Sequence, residues 1–167
     1  MRSYSCTPLV LSLLCGVSHA NVLKNINCNK YSDYYHQAGV KYNLAPALLK
    51  SVCTLESDEN PLARNDANRD KSIDIGACQI NSFWFDMFQN EFKVPLNQLY
   101  KAKTSIFAAA YIITYNFNLY GRNDNALGGY KVGWKKQHQS IRFNYASEIK
   151  ELRTQIELQC VNYRPKV

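Results

Sequence analysis

The sequence predicts a mainly helical α+β domain, with a small β element inserted after a helix that ends at Glu56. Three observations carry that prediction. Apolar residues recur at steps of three and four over long stretches, the pattern of amphipathic helices. Between Asn60 and Asn81 that rhythm gives way to turn residues and a short alternating run. A chain of 167 residues with 46% hydrophobic content suits one compact domain with its own core. No repeat period is visible.

The first twenty positions are set apart. Met1 and Arg2 make a positive start, Leu9 to Val17 an apolar run, and Ser18-His19-Ala20 a small-residue cleavage site. Residues 1–20 are expected to be an export signal cleaved after Ala20, leaving residues 21–167 as the domain. The apolar run is too short for a stable membrane span. Of the 6 cysteines, Cys6 and Cys15 leave with the signal. Cys28, Cys53, Cys78 and Cys160 remain, and an even number in an exported chain points to disulfides in any of three pairings. Cleavage removes one positive charge from a net +7, so the exported domain stays basic. A basic exported protein favours anionic partners such as a polyanionic wall. No compact Lys/Arg stripe interleaved with aromatics is present, which argues against nucleic acid.

The elements follow in order. Asn27 to Asn43 reads as a helix with Tyr31, Tyr35, Ala38 and Val40 as its apolar surface. Pro46 restarts the chain at a first helical position, where its missing N–H is not needed. In the helix from Pro46, Leu48, Val52 and Leu55 share one stripe, and Leu49, Cys53 and Glu56 the next. Glu56 is thus drawn toward the buried side near the C-terminal end, and both placements raise a carboxyl pKa. A carboxyl kept protonated near neutrality can donate a proton to a leaving oxygen. Asn60-Pro61 and Asn65 to Asp70 are loop. Asp66, Asn68, Asp70 and Ile73 imitate the start of a calcium loop, but Lys71 replaces its glycine and Ala77 its closing Glu. No metal and no cofactor is expected.

Ser72 to Asn81 reads as a short strand or hairpin, with Gly76 allowing a close backbone approach and Gln79 offering an amide to a polar ligand. Phe83, Trp84, Phe85 and Phe88 crowd into one turn or short helix. Val94-Pro95-Leu96 is a break. From Tyr100 to Tyr120 the residues Ile106, Ala109, Ala110, Ile113 and Phe117 mark a buried helix ended by Gly121. Asp124 is expected to cap a short helix through Tyr130 whose Gly128-Gly129 pair calls for close packing or ligand access. Gly133-Trp134 ends it. Ile141, Tyr145, Ile149, Leu152, Ile156 and Cys160 run along a last amphipathic helix over about 140–160.

The run Glu56-Ser57, Asn60-Pro61, Ala63, Asn65, Asp74-Ile75-Gly76 and Gln79-Ile80-Asn81-Ser82 resembles the lysozyme-like lytic transglycosylases, the SLT-domain family. It looks closest to the small exported members that accompany type III and type IV secretion, conjugation and type IV pilus systems. The same run is similar to c-type lysozymes. Ile106, Ala109, Ala110 and Tyr120-Gly121 look like the family's third motif; Ala126-Leu127-Gly128-Gly129-Tyr130 and Gly133 look like its fourth. The resemblance covers about residues 44–133.

The resemblance implies a lysozyme-like fold and a periplasmic enzyme, expected to be monomeric, acting on peptidoglycan glycan strands. It makes Glu56 the catalytic acid and then base, and Tyr130 the residue positioning that glutamate and the substrate. Ser57, Gln79, Asn81 and Gly76 would line the sugar cleft. The muramic C6 hydroxyl would displace the leaving chain, giving a 1,6-anhydro end. Departures from the family pattern are Ala77-Cys78 before the motif glutamine, Lys131 where Asn usually follows the tyrosine, Ser105-Ile106 for Asn-Ile, and Glu59 at a commonly apolar position. Cys78 implies a disulfide to Cys53, clipping the Glu56 helix to the β element, with Cys28–Cys160 tying the ends. Asp74 divides two mechanisms: a carboxylate about 5 Å from Glu56 fits a retaining hydrolase, whereas one capping loop N–H groups leaves a single-acid transglycosylase. A wall-binding assembly component with a weakened site is the reading from another class.

Overall fold

The structure is a computed structural model that describes residues 25–163; the expected export signal and its cleavage site lie outside them. Helices α1 (Ser32–Tyr42), α2 (Pro46–Ser57), α4 (Ala102–Tyr120), α5 (Asp124–Val132) and α6 (Gln139–Gln159) build the domain. Between α2 and α4 lie strands β1 (Arg64–Asn65), β2 (Asp74–Ile75) and β3 (Ile80–Asn81) and the short helix α3 (Phe85–Asn90). The mainly helical α+β architecture expected from the sequence is what forms. Among the described residues no helix is long and apolar enough to cross a membrane.

Helix α2 is the centre. Ala47, Leu49, Val52 and Cys53 are fully buried, and α2 packs against α1, α4 and α6. Pro46 sits at its start as expected. It ends with Asp58 in the left-handed region at φ 55°, whose N–H bonds back to Thr54 O, while that of Glu59 reaches Cys53 O. These bonds satisfy carbonyls the last helical turn would otherwise strand.

Several expectations shift. Helix α1 begins at Ser32, because the Asn27 side chain accepts the N–H groups of Asn29 and Lys30 and folds that stretch into a turn. Val40 is 87% exposed, so the buried face of α1 rests on Tyr35 and Ala38. Asn123 caps α5, its Oδ1 accepting Ala126 N–H at 2.9 Å; Asp124 stands inside the helix and pairs with Lys150. Ile141 is exposed, and Arg142 is buried in its place.

The β element is a three-stranded antiparallel sheet in the order β1-β2-β3, one strand more than the expected hairpin. Its register places Asn65 opposite Asp74 and Asp74 opposite Asn81. Directly opposed residues share a face, so these three polar side chains form one row across the sheet. Gly76, at φ +80°, fills the close-approach role: a Cβ there would collide with the Leu99 carbonyl.

Two disulfides link the described cysteines, Cys28–Cys160 and Cys53–Cys78. The first joins the segment before α1 to the end of α6. The second fastens α2 to the turn between β2 and β3. Glu59, the departure after the helix, is buried and bonded: Lys50 Nζ lies 2.8 Å from its Oε1, and Tyr35 Oη donates to the same atom at 2.8 Å. A charge at a commonly apolar position is matched by a buried lysine on α2.

Candidate active site

A cleft of about 650 Å³ opens between the sheet, the 82–84 turn and α5. Glu56, Asp74, Gln79, Asn81 and Tyr130 all line it, as do Phe83, Trp84 and Trp134. Ser57 and Gly76 do not. The Ser57 hydroxyl donates to Ala77 O at 2.7 Å, so it ties the end of α2 to the β element.

Glu56 sits where α2 runs out against the cleft, with its side chain only 6% exposed. Burial pushes its carboxyl pKa up; the Lys131 ammonium, 3.0 Å from Oε2, pulls it back, Tyr145 lowers it further, and Asp74 adds a smaller upward push. Burial prevails, so the direction expected from the helix spacing holds. Oε1 is sealed from solvent and has no hydrogen-bond partner, and the buried Tyr145 hydroxyl is likewise unpartnered. The two couple electrostatically without the geometry of a formed hydrogen bond.

Tyr130 lies beside Glu56, but its hydroxyl donates to the Cys78 carbonyl at 2.6 Å. Burial, then the Glu56 charge, raises its pKa well above the ordinary tyrosine value, which keeps the phenol neutral. Asp74 does not cap loop N–H groups, as one of its two expected arrangements required. Its carboxylate accepts from side-chain amides: Asn65 at 3.0 Å and Asn68 at 2.8 Å on Oδ2, Asn81 at 2.7 Å on Oδ1. The strand register supplies the first and last of these amides, and the loop supplies Asn68. The calcium-like loop is thereby turned inward on itself, since Asn68 also bonds Ser72, and Asp70 accepts from the Ser72 hydroxyl.

Gln79 takes a left-handed backbone at φ 51°, and its side-chain amide donates to Gly76 O at 3.0 Å. Its amide is held at the cleft wall rather than swinging free. The α5 glycines answer to close packing. A Cβ on Gly128 would collide with the Arg142 backbone on α6, while one on Gly129 would meet Trp134 at 2.7 Å at the cleft edge. Trp134 itself stacks on Tyr120, ring centroids 3.4 Å apart, with the Arg142 guanidinium 5.5 Å from its ring.

Sequence reasoning missed three side chains here. Tyr145 falls on the apolar stripe Ile141–Ile156, where its lone hydroxyl is the signal of a polar group opposite. Asn116, 2% exposed with its Nδ2 unpartnered, lines the cleft from inside apolar α4. Lys131 stands out as a departure from the family pattern, but its position in the sequence does not mark it as the partner of Glu56.

Residues 33–153 match the family described as Transglycosylase SLT domain. The chain belongs to that family. Protein IpgF of Shigella flexneri is 29% identical over 140 residues, spanning 84% of this chain and 86% of the relative. Invasion protein IagB of Salmonella typhimurium is 31% identical over 121 residues, spanning 72% of this chain and 75% of the relative. A peptidoglycan-binding-like protein of Escherichia coli is 27% identical over 124 residues, with 71% and 74% covered. The SLT family match accounts for the mainly helical, lysozyme-like architecture with its small antiparallel sheet.

Proposed function

We propose that the protein is an exported lytic transglycosylase that cleaves the β-1,4 bond between muramic acid and N-acetylglucosamine in peptidoglycan. The observation that carries this reading is the buried Glu56 carboxyl at the cleft wall, with a proton affinity raised by burial and one oxygen sealed. In the reaction, Glu56 gives its proton to the glycosidic oxygen as the bond to muramic C1 breaks. The N-acetyl group of the same residue assists. Glu56, now a carboxylate, takes the proton of the C6 hydroxyl as that oxygen bonds to C1, closing the 1,6-anhydro ring. One carboxyl thus serves as acid and base, and it ends the cycle protonated again. Tyr130 holds the Cys78 carbonyl and so steadies the wall beside the acid. Gln79, Asn81, Phe83 and Trp84 offer amides and rings to the sugars.

The name of the relative IagB, an invasion protein, supports a role in opening the wall for an apparatus that crosses it, within the periplasm. The similarity to a peptidoglycan-binding-like protein of Escherichia coli supports the wall as substrate. One observation favours a second reading, a lysozyme-type hydrolase. Asp74 lines the same cleft in a polar, hydrogen-bonded setting, as the second carboxylate of such an enzyme does. Digestion of purified sacculi with the wild type and Glu56→Gln separates the readings. Anhydro-muramic ends, lost about a hundredfold or more in the variant, are expected; reducing muramic ends alone would reject transglycosylation. Unchanged lysis by Glu56→Gln would reject catalysis by this carboxyl.

A further inference from the structure

Glu56 reaches the cleft through a single oxygen. Oε1 is sealed from solvent and makes no hydrogen bond, so proton exchange with a bound sugar has to pass through Oε2. That is the oxygen on which the Lys131 ammonium sits, at 3.0 Å. Glu56 therefore meets a glycosidic oxygen only after Lys131 has moved aside. The lysine is able to move: its side chain is 48% exposed, in the last turn of α5, against 6% for Glu56. Its other close neighbour is the Tyr145 ring, 6.0 Å from Nζ.

An ammonium leaves a carboxylate readily when another anion receives it. The remaining carboxylates at the cleft are engaged, Asp74 by three amides and Asp70 by Ser72. The receiving anion must arrive with the ligand. We propose that Lys131 is a latch on Glu56, holding its cleft-facing oxygen until a carboxylate of the bound muramic residue draws the ammonium away. This rests on the peptidoglycan reading above. The carboxylate is the lactyl group in strands without peptides, and an acidic group of the stem peptide in substituted ones.

The latch couples recognition to chemistry. Four groups face the Glu56 carboxyl: Lys131 and Tyr130 from α5, Tyr145 from α6 and Asp74 from β2. Of these, only Lys131 is a cation. Its departure frees Oε2 and removes the main force opposing burial, so the carboxyl takes up a proton when an acidic sugar has bound. A neutral glycan leaves the latch closed. Lys131 is thus a positioning and specificity residue that acts through Glu56.

The test is a carbon-13 NMR titration of the Glu56 carboxyl in the wild type, Lys131→Arg and Lys131→Met. Lys131→Met should titrate about one pH unit or more above the wild type, and Lys131→Arg close to it. Saturating the wild type with the disaccharide of N-acetylglucosamine and N-acetylmuramic acid should raise its midpoint toward that of Lys131→Met. Diacetylchitobiose, which has no carboxylate, should leave it in place. A Lys131→Met midpoint within a few tenths of the wild type would overturn the proposal. So would equal behaviour of the two disaccharides, whether both shift the midpoint or neither does. The titration needs no turnover, so inactivity of the wild type on sacculi would count against the proposed reaction alone.

Discussion

The buried pair Lys50–Glu59 offers the sharpest test of how this fold is held. Both side chains are almost fully enclosed, 0% and 4% exposed, with Nζ 2.8 Å from Oε1. In Glu59→Gln the Tyr35 hydroxyl keeps an oxygen acceptor, but the Lys50 ammonium keeps only neutral partners such as the Lys30 carbonyl at 3.3 Å. Burial already lowers the Lys50 pKa, and the hydrogen bond and charge of Glu59 are the chief forces holding it up. Without them the lysine escapes by shedding its proton, which sets a ceiling on the damage. Neutralising a lysine whose ordinary pKa is 10.5 costs about 5 kcal/mol at pH 7 and about 2 kcal/mol at pH 9, at ~1.36 kcal/mol per unit. The folded pKa lies below the unfolded one, so the unfolded chain binds the extra proton and stability rises with pH across that window. Urea denaturation followed by Trp fluorescence, under oxidising conditions, should show a deficit for Glu59→Gln of about 3–5 kcal/mol at pH 7. That is a large part of a typical domain's stability of about 5–15 kcal/mol. The deficit should shrink at pH 9, and Lys50→Met with Glu59→Gln should recover much of it. A loss under about 1 kcal/mol at pH 7, or one that does not shrink with pH, would refute the argument that Glu59 keeps a buried ammonium charged.

Three further outcomes are expected. Gly128→Ala, which in an open helix would gain about 1 kcal/mol, should instead lower the melting temperature, because the methyl meets the Arg142 backbone; a stabilised variant would show that α5 can back away. Replacing Cys28 and Cys160 by Ser opens a loop of 132 residues and should cost about 5 kcal/mol by chain entropy, against about 3.5 for the 25-residue Cys53–Cys78 loop, both read from denaturation midpoints. Glu56→Gln should stabilise the protein at neutral pH. The folded pKa of Glu56 is raised above its ordinary 4.5, so the folded state holds the extra proton and stability falls as pH rises through that window. The gain should vanish below about pH 4.5, and equal melting of the two proteins at pH 7 would contradict it.

Much of this was legible in the sequence because helices write their buried faces into local spacing. The stripe Leu49, Cys53 and Glu56 located the acid and the direction of its pKa before any fold was in view. The glycine pair announced a close contact on α5. Where sequence and structure part, two local signals compete: Asn123 and Asp124 are both good caps, and only the backbone selects the first. Asn27 favoured a turn over the first turn of α1. Strand β1 spans only Arg64–Asn65, too short for alternation to show. What stayed hidden was long-range pairing. Lys50 with Glu59, Lys131 with Glu56 and Tyr145 against the same carboxyl join elements whose meeting is decided by packing. Spacing along one helix carries no information about them.

These pairings also show why the departures from the family pattern belong together. Cys78 stands where the family's usual sequence changes, and each of its groups is taken. Its sulfur bonds Cys53, one turn before Glu56; its N–H donates to Ser105 Oγ at 3.0 Å; its carbonyl accepts the Tyr130 hydroxyl. Ser105 is itself a departure, and its buried hydroxyl would lack that donor if the turn sat elsewhere. Tyr130 is followed by Lys131, which returns to Glu56. The contacts therefore close a ring from α2 through the sheet turn to α5 and back to the acid. Gly128 lets α5 lie directly against the Arg142 backbone of α6. Within such a ring a single reversion toward the family residue is not neutral. Lys131→Asn would release the acid while the disulfide still holds its helix, whereas loss of Cys53–Cys78 would loosen the wall that positions Tyr130 and Lys131 together. The first change should move the pH profile of the proposed wall cleavage and cost about 1 kcal/mol of stability near neutral pH, a loss that fades in acid where Glu56 is protonated; the second should lower both activity and stability at every pH.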